Sequence, residues 1–142
     1  MLLSLHIRDF AIIDELEIEL RPGMTALTGE TGAGKSILLD ALGLLLGDRA
    51  DAGAVRHGAG RADISASFDI SALETARRWL AEQELALDGE CQVRRVVLSE
   101  GRSRGYINGS PVPVQTLREF GERLVDIHGQ HEHQSLMKRE LQ

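Results

Sequence analysis

Eight consecutive residues near the start of the chain have types and spacing suited to binding phosphate. They read Gly-Glu-Thr-Gly-Ala-Gly-Lys-Ser and satisfy the pattern G-x-x-x-x-G-K-[S/T] in full. Glycines let the main chain approach phosphate oxygens closely, and the amide groups of a following helix start point at the anion. In such a loop Lys35 reaches the β- and γ-phosphates, and the Ser36 hydroxyl ligates Mg²⁺. The candidate cofactor-binding residues are Gly29, Glu30, Thr31, Gly32, Ala33, Gly34, Lys35 and Ser36.

A phosphate loop of this kind lies between a strand and a helix, and the flanking residues meet that requirement. Residues 24–28 form a short apolar run typical of a buried strand, and residues 36–46 have the composition of a helix, with Gly47 as its candidate C-cap. Further strands are predicted at 2–7, 15–20, 63–70, 92–98, 105–108 and 124–127, and further helices at 71–85, at 114–124 and from 132 onward. Asn108-Gly109 predicts a tight turn.

Composition limits the class of protein. The 142 residues suit one domain or one lobe, and the net charge of −6 argues against a broad DNA-coating surface. The single cysteine, Cys91, excludes an internal disulfide and fits a reducing cytosol. We find no signal-peptide pattern and no apolar run long enough to cross a bilayer. The sequence therefore predicts a cytoplasmic protein without a membrane partner.

The residues needed for nucleotide hydrolysis are incomplete. Asp126 follows only two aliphatic residues and precedes no second acid, so we interpret it as a strand-end residue rather than a Walker B aspartate. Residues 98–101 read Leu-Ser-Glu-Gly, like the start of an ABC signature motif, but they end a strand and enter a hairpin turn. Gln130 lies in a glycine-containing loop, where a carboxamide could touch Mg²⁺ and the attacking water, although such a glutamine is usually a surface residue. The chain is therefore predicted to be half of a catalytic unit.

Arginines cluster around the predicted hairpin between residues 92 and 108. Arg94, Arg95, Arg102 and Arg104 bracket this hairpin, and Tyr106 lies beside them. Such a cluster can contact a nucleic-acid backbone, or it can form the solvated face of a twisted ribbon. The sequence leaves both interpretations open.

Taken together, these motifs resemble those of the SMC-like (structural maintenance of chromosomes) ATPases, and in particular a bacterial DNA-repair branch of that group. The resemblance extends over essentially the whole chain, and it is carried by residues 7–13, 28–38, 46–50, 105–109 and 126–134. Two motifs are specific to the branch: the phosphate loop already quoted, and His-Gly-Gln-His-Glu-His-Gln at 128–134.

The resemblance implies a fold and a set of site residues. The fold class is α/β: a P-loop NTPase of the ABC/SMC head type, represented by its N-terminal lobe, with a mixed β-sheet and an antiparallel hairpin subregion. Residues 1–131 would form this lobe, and 132–142 would begin a truncated coiled-coil helix. ATP and Mg²⁺ are the implied cofactors. Ser36 and Gln130 would hold the magnesium ion, with Gln130 and Lys35 as the catalytic residues.

The resemblance also implies a function. Two heads would bind two ATP molecules between them, and hydrolysis would control the grip on DNA during recombinational repair of double-strand breaks. The implied partners are DNA, the C-terminal lobe of the same head and a second head in a homodimer, in a bacterial, nucleoid-associated setting. The C-terminal lobe would supply the signature motif and Walker B, so we expect this chain alone to bind nucleotide with negligible turnover. Candidate DNA contacts are Arg56, which falls near the arginine that other SMC heads place in a DNA-facing loop of different length, and Arg94, Arg102 and Arg104.

Two other classes share the phosphate loop. An ABC transporter ATP-binding subunit would need a signature motif and Walker B in the same chain, together with an aromatic residue for the adenine base, for which Phe10 is the candidate. A P-loop kinase fragment would need a substrate cleft and an arginine-rich lid. Both remain alternatives at this point.

Overall fold

One sheet organises the part of the chain that the structure describes. The computed structural model describes residues 2–20, 32–50, 52–87 and 89–124, with the backbone but not the side chains of 32–35 and 52. Its strands are β1 (Leu2–Phe10), β2 (Ile13–Glu19), β3 (Arg61–Asp69), β4 (Glu90–Leu98), β5 (Ser103–Ile107) and β6 (Ser110–Val112). They lie in the order β2-β1-β3-β4-β5-β6, and each neighbouring pair is antiparallel. The helices are α1 (Gly32–Leu45), α2 (Glu74–Glu82) and α3 (Val114–Leu124), with a short 3-10 turn at Ala52–Ala54.

Alternating residue types give the sheet two different faces. In β3, Ile64 and Phe68 are buried, whereas Ser65 and Ser67 between them point to the other side and are only half buried. The register continues this separation across the sheet, because Ile7 of β1 lies opposite Ile64. Complete burial of one such aliphatic side chain stabilises a fold by about 1.5–3 kcal/mol. One face is therefore an apolar core surface and the other is polar.

The helices pack on the apolar face. The rings of Phe68 on β3 and Phe120 on α3 meet edge to face, with their centroids 6.2 Å apart, and Trp79 on α2 lies 5.9 Å from Phe120. α1 contributes Leu38 and Leu45 to the same core. Among the described residues, α1 and the aromatic contact between α2 and α3 therefore share the core on the apolar face of the sheet.

α1 ends in a glycine C-cap. Gly47 has φ +101°, and its amide donates to the Leu44 carbonyl at 3.1 Å. The Asp48 amide donates to the Gly43 carbonyl at 2.9 Å. These two bonds form a Schellman motif, which satisfies carbonyl groups that a helix end otherwise leaves free. The C-cap predicted at Gly47 is therefore confirmed.

Several predicted elements differ in extent from those in the structure. The helix predicted at 71–85 begins only at Glu74, because the Asp69 carboxylate accepts hydrogen bonds from the amide (3.0 Å) and hydroxyl (2.7 Å) of Ser71 and holds a turn there. β6 is an additional short strand that follows the predicted Asn108-Gly109 turn, whose φ values of +51° and +86° confirm a tight hairpin. The predicted strand at 24–28 and residues 125–127 of the strand predicted at 124–127 lie outside the described residues, while Leu124 ends α3.

No helix in the described part of the chain is both long enough and apolar enough to cross a membrane.

Cys91 lies buried on the core side of β4, and this burial has a testable consequence. Burial raises the pKa of its thiol from 9.0 to about 12. Because the unfolded chain releases this proton at lower pH than the folded chain, the stability provided by the neutral thiol is complete below about pH 9 and is lost as the pH rises towards about 12. We expect the melting temperature to fall less steeply above pH 9 in Cys91→Ala than in the unmodified chain. If the melting temperature fell equally steeply with pH in the two proteins, the assignment of a buried neutral thiol would be contradicted.

Candidate phosphate-binding site at the start of helix α1

α1 begins inside the glycine-rich motif. Its first residue is Gly32, so the helix start falls within residues 29–36. The first turn of α1 contains no acidic residue. The leading amide groups of a helix have no partner within the helix, and together with the helix dipole they favour an anion. The backbone of α1 therefore fits a phosphate group at the place that the motif indicates.

The individual site residues are described to different extents. Gly29, Glu30, Thr31 and Gln130 lie outside the described residues, and for 32–35, which include Lys35, only the helical backbone is described. Ser36 is exposed. An exposed hydroxyl in the first turns of α1 fits the predicted role as a magnesium ligand. The proximity of Gln130 to Ser36 stays a prediction.

Arg94 lies on the polar face of β4 and already has partners. Its Nε donates to Asp63 Oδ1 at 2.9 Å, and its guanidinium carbon lies 5.6 Å from the centre of the Tyr106 ring. The hydrogen bonds to the Asp63 carboxylate raise the pKa of Arg94 above its ordinary value. The predicted grouping of Arg94 with Tyr106 is present, but the guanidinium group of Arg94 is already hydrogen-bonded to the Asp63 carboxylate.

The other candidate DNA contacts lie where β1 and β4 end and where β3 and β5 begin. Arg56 Nη1 is 3.9 Å from Asp9 Oδ1 and 3.8 Å from Asp14 Oδ1, and Arg102 Nη2 donates to Glu100 Oε1 at 2.7 Å. Arg104 is exposed and has no carboxylate within ion-pair distance among the described residues. Three of the four arginines thus have acidic neighbours.

Residues 98–101, the signature-like segment, form the turn between β4 and β5. The Leu98 amide donates to the Arg102 carbonyl at 2.7 Å, and the Gly101 amide donates to the Leu98 carbonyl at 2.8 Å, with Gly101 at φ +105°. This segment opens no helix, so the interpretation as a hairpin turn is confirmed.

Arg95 has a role that sequence reasoning missed. It was grouped with the hairpin arginines, but only 2% of it is exposed, and its Nη1 donates to the Leu44 carbonyl at 2.6 Å and to the Asp48 carbonyl. Leu44 lies in the last turn of α1, and Asp48 follows its C-cap. The signal was present in the alternation of β4, where Cys91, Val93, Arg95 and Val97 occupy one face and three of the four are apolar.

Comparison with known proteins extends these observations. A family model described as an AAA domain matches residues 4–138. The DNA repair protein RecN of Vibrio cholerae is 51% identical over 142 residues, which cover 100% of this chain and 26% of that protein. RecN of Bacillus subtilis is 43% identical over 141 residues, which cover 99% of this chain and 24% of that protein. The chain thus spans about a quarter of the length of the curated relatives it matches.

Solved structures show the same fold. One, described as "Structural biochemistry of ATP-driven dimerization and DNA stimulated activation of SMC ATPases", has a TM-score of 0.65 at 18% identity and is covered over 99% of both chains. The SMC head domain from Thermotoga maritima has a TM-score of 0.60 at 24% identity, over 83% of this chain and 41% of that one. RecF-ATPrS, a recombination mediator protein, has a TM-score of 0.59 at 17% identity, over 82% of this chain and 29% of that one.

These findings confirm the predicted fold class, a P-loop NTPase lobe of the SMC head type. They also confirm the resemblance to SMC-like DNA-repair ATPases that the motifs carry. The chain belongs to the AAA domain family and is similar over its full length to RecN proteins.

Proposed function

We propose that this chain is the ATP-binding lobe of an SMC-like ATPase that acts in recombinational repair of DNA double-strand breaks. The observation that supports this most directly is the start of α1 at Gly32, within a complete phosphate-loop motif and without an acidic residue in the first turn. The similarity to DNA repair proteins named RecN supports the repair setting.

In this proposal the residues of the chain have distinct roles. The leading amide groups of α1 and the ammonium group of Lys35 bind the phosphates, and Ser36 and Gln130 hold Mg²⁺. When held by these residues, Mg²⁺ would supply positive charge that offsets the negative charge of the phosphates. Gln130 also orients the attacking water through its carboxamide oxygen. This lobe thus binds the nucleotide and orients the attacking water.

The remaining parts of the catalytic unit come from outside the chain. The signature-like residues 98–101 form a hairpin turn, and Asp126 has the wrong neighbours for a Walker B acid. The proposed partners are therefore a C-terminal lobe and a second head, with ATP bound between the two heads and hydrolysis separating them. One of the SMC neighbours is described in terms of ATP-driven dimerization and DNA-stimulated activation, which supports this arrangement.

Arg104 is the main residue of this lobe proposed to contact DNA. Arg56, Arg94 and Arg102 would have to exchange a carboxylate for a DNA phosphate, and their acidic neighbours weaken attraction for DNA. Arg104 is exposed and has no such neighbour among the described residues. The proposal therefore places the phosphate-backbone contact at the start of β5.

A binding and turnover experiment on the 142-residue chain tests the proposal. We expect calorimetry with ATP and Mg²⁺ to show weak binding, because one lobe supplies only half of the contacts, and we expect phosphate release at the level of the buffer blank. Ser36→Ala is the matched control, since it should weaken the magnesium-dependent part of binding while leaving the fold intact. Sustained phosphate release by the chain alone would contradict the half-site assignment, and absence of binding at millimolar ATP by folded protein would contradict the phosphate site itself.

A further inference from the structure

The charge of Arg95 is buried without a carboxylate beside it. The residue is 2% exposed, and among the described residues no acidic side chain lies within ion-pair distance. Its Nη2 donates to Ser103 Oγ at 3.1 Å, and its Nε has no hydrogen-bond partner within the described part of the chain. Burial lowers the pKa of this guanidinium, against an opposing effect of Asp48. A buried cation costs free energy unless something compensates it.

The compensation comes from the end of α1. Nη1 of Arg95 donates to the carbonyl groups of Leu44 and Asp48, which lie in the last turn of the helix and just beyond its C-cap. The C-terminus of a helix carries a partial negative charge, so a cation there is favourable, most of all where water is excluded. Arg95 is thus a hydrogen-bonded connection between β4 and the end of α1.

Close contacts hold the same end of α1 against α3. A Cβ atom added at Gly47 would lie 2.7 Å from the Arg118 amide nitrogen, and one added at Gly121 would lie 3.1 Å from Leu46 Cβ. Nη2 of Arg118 donates to the Gly47 carbonyl at 3.1 Å. The end of α1 therefore has little freedom to shift, and Arg95 provides its polar link to the sheet.

The opposite end of α1 is the proposed phosphate site. A helix rises about 1.5 Å per residue, so the amide groups at Gly32 lie about 20 Å from the end that Arg95 holds. A tilt of about 3° at one end would move the other by about 1 Å, and displacements of that size weaken contacts that depend on alignment.

We propose that Arg95 is a positioning residue for nucleotide binding, fixing the direction of α1 so that its leading amide groups meet the phosphates. The inference rests on the proposed function of the α1 start. Arg95 lies far from the proposed phosphate site. Its replacement should nevertheless lower the affinity for nucleotide by more than the loss of fold stability explains.

The test compares Arg95→Met and Arg95→Lys with Val93→Ala in the 142-residue chain. Val93 is buried on the same face of β4, two residues away, and pairs with Ile107 and Ala66, so its truncation loosens the core without touching the α1 carbonyl groups. Affinity for a fluorescent ATP analogue with Mg²⁺ is measured well below every melting temperature. We expect Arg95→Met to bind about tenfold more weakly than Val93→Ala, and Arg95→Lys, which keeps a cation at the helix end, to recover part of the loss. Hydrogen exchange should rise at the last turn of α1 in Arg95→Met only.

The outcomes separate the inference from the function on which it rests. Equal affinity in folded Arg95→Met and Val93→Ala, with normal binding by the unmodified chain, would overturn the positioning role alone. If Arg95→Met does not fold, the comparison uses Arg95→Lys instead. Nucleotide affinity equal to that of Val93→Ala would overturn the positioning role, and weaker affinity would support it. Failure of the unmodified chain to bind nucleotide would instead overturn the proposed phosphate site and the positioning role with it.

Discussion

Replacing Lys35 by alanine is expected to lower the affinity of the chain for ATP by roughly tenfold to a hundredfold. The loss corresponds to about 1.5–3 kcal/mol, the usual contribution of a hydrogen bond to a charged group. The free energy of unfolding should stay within about 0.5 kcal/mol of the unmodified value, because lysine is almost never fully buried in folded proteins and alanine has a high helix propensity. Calorimetry and urea unfolding on the same preparation measure both quantities.

Lys138→Ala is the matched control, since it removes the same charge outside the glycine-rich motif. A general loss of electrostatic attraction would weaken binding equally in both variants. Unchanged ATP affinity in Lys35→Ala would show that residues 29–36 do not bind the phosphates.

Gly47→Ala is expected to destabilise the fold by about 2–4 kcal/mol. Two costs combine: a residue with a Cβ atom is disfavoured at φ +101°, and that atom would lie 2.7 Å from the Arg118 amide nitrogen. Since α3 cannot move away without opening its packing on Phe68, the strain is not easily relieved. Urea unfolding monitored by the fluorescence of Trp79, the single tryptophan, measures the effect.

Gly58→Ala separates the two costs. Gly58 has φ +88°, but a Cβ atom there would have no described residue within 4 Å. We expect this variant to lose only the backbone contribution, about 1–2 kcal/mol. Equal losses at Gly47 and Gly58 would show that the contact between α1 and α3 is looser than described.

Much of the described fold follows from local sequence patterns. The helix predicted at 114–124 has the bounds of α3, and the alternation in 63–70 predicted β3, because each pattern determines which side chains are buried. α2 was predicted too long because Asp69 binds the Ser71 backbone and hydroxyl, a competition that apolar spacing does not show. β6 is three residues long and depends on pairing with β5, so no periodicity predicts it.

The sequence likewise indicates one part of the candidate site and not the other. The glycine-rich motif could be identified as a candidate phosphate loop because its chemistry is local and contiguous. Arg95 was assigned to a surface cluster because arginine is seldom buried. The carbonyl groups of Leu44 and Asp48, which are distant in the sequence, offset the cost of its burial. Such a partnership joins residues about fifty positions apart. The alternation of β4 places Arg95 on the apolar face, but spacing does not identify its partners.

The placement of β1 between β2 and β3 affects how a growing polypeptide can fold as it leaves the ribosome. β2 follows β1 at once, but β3, its other neighbour, starts roughly fifty residues after β1 ends, which is several seconds of translation. Throughout that interval the nascent hairpin presents an unpaired edge, and an edge of that kind can join a foreign strand. The segment that includes the glycine-rich motif emerges during this interval, so α1 can dock on β3 and β4 only after those strands have been made.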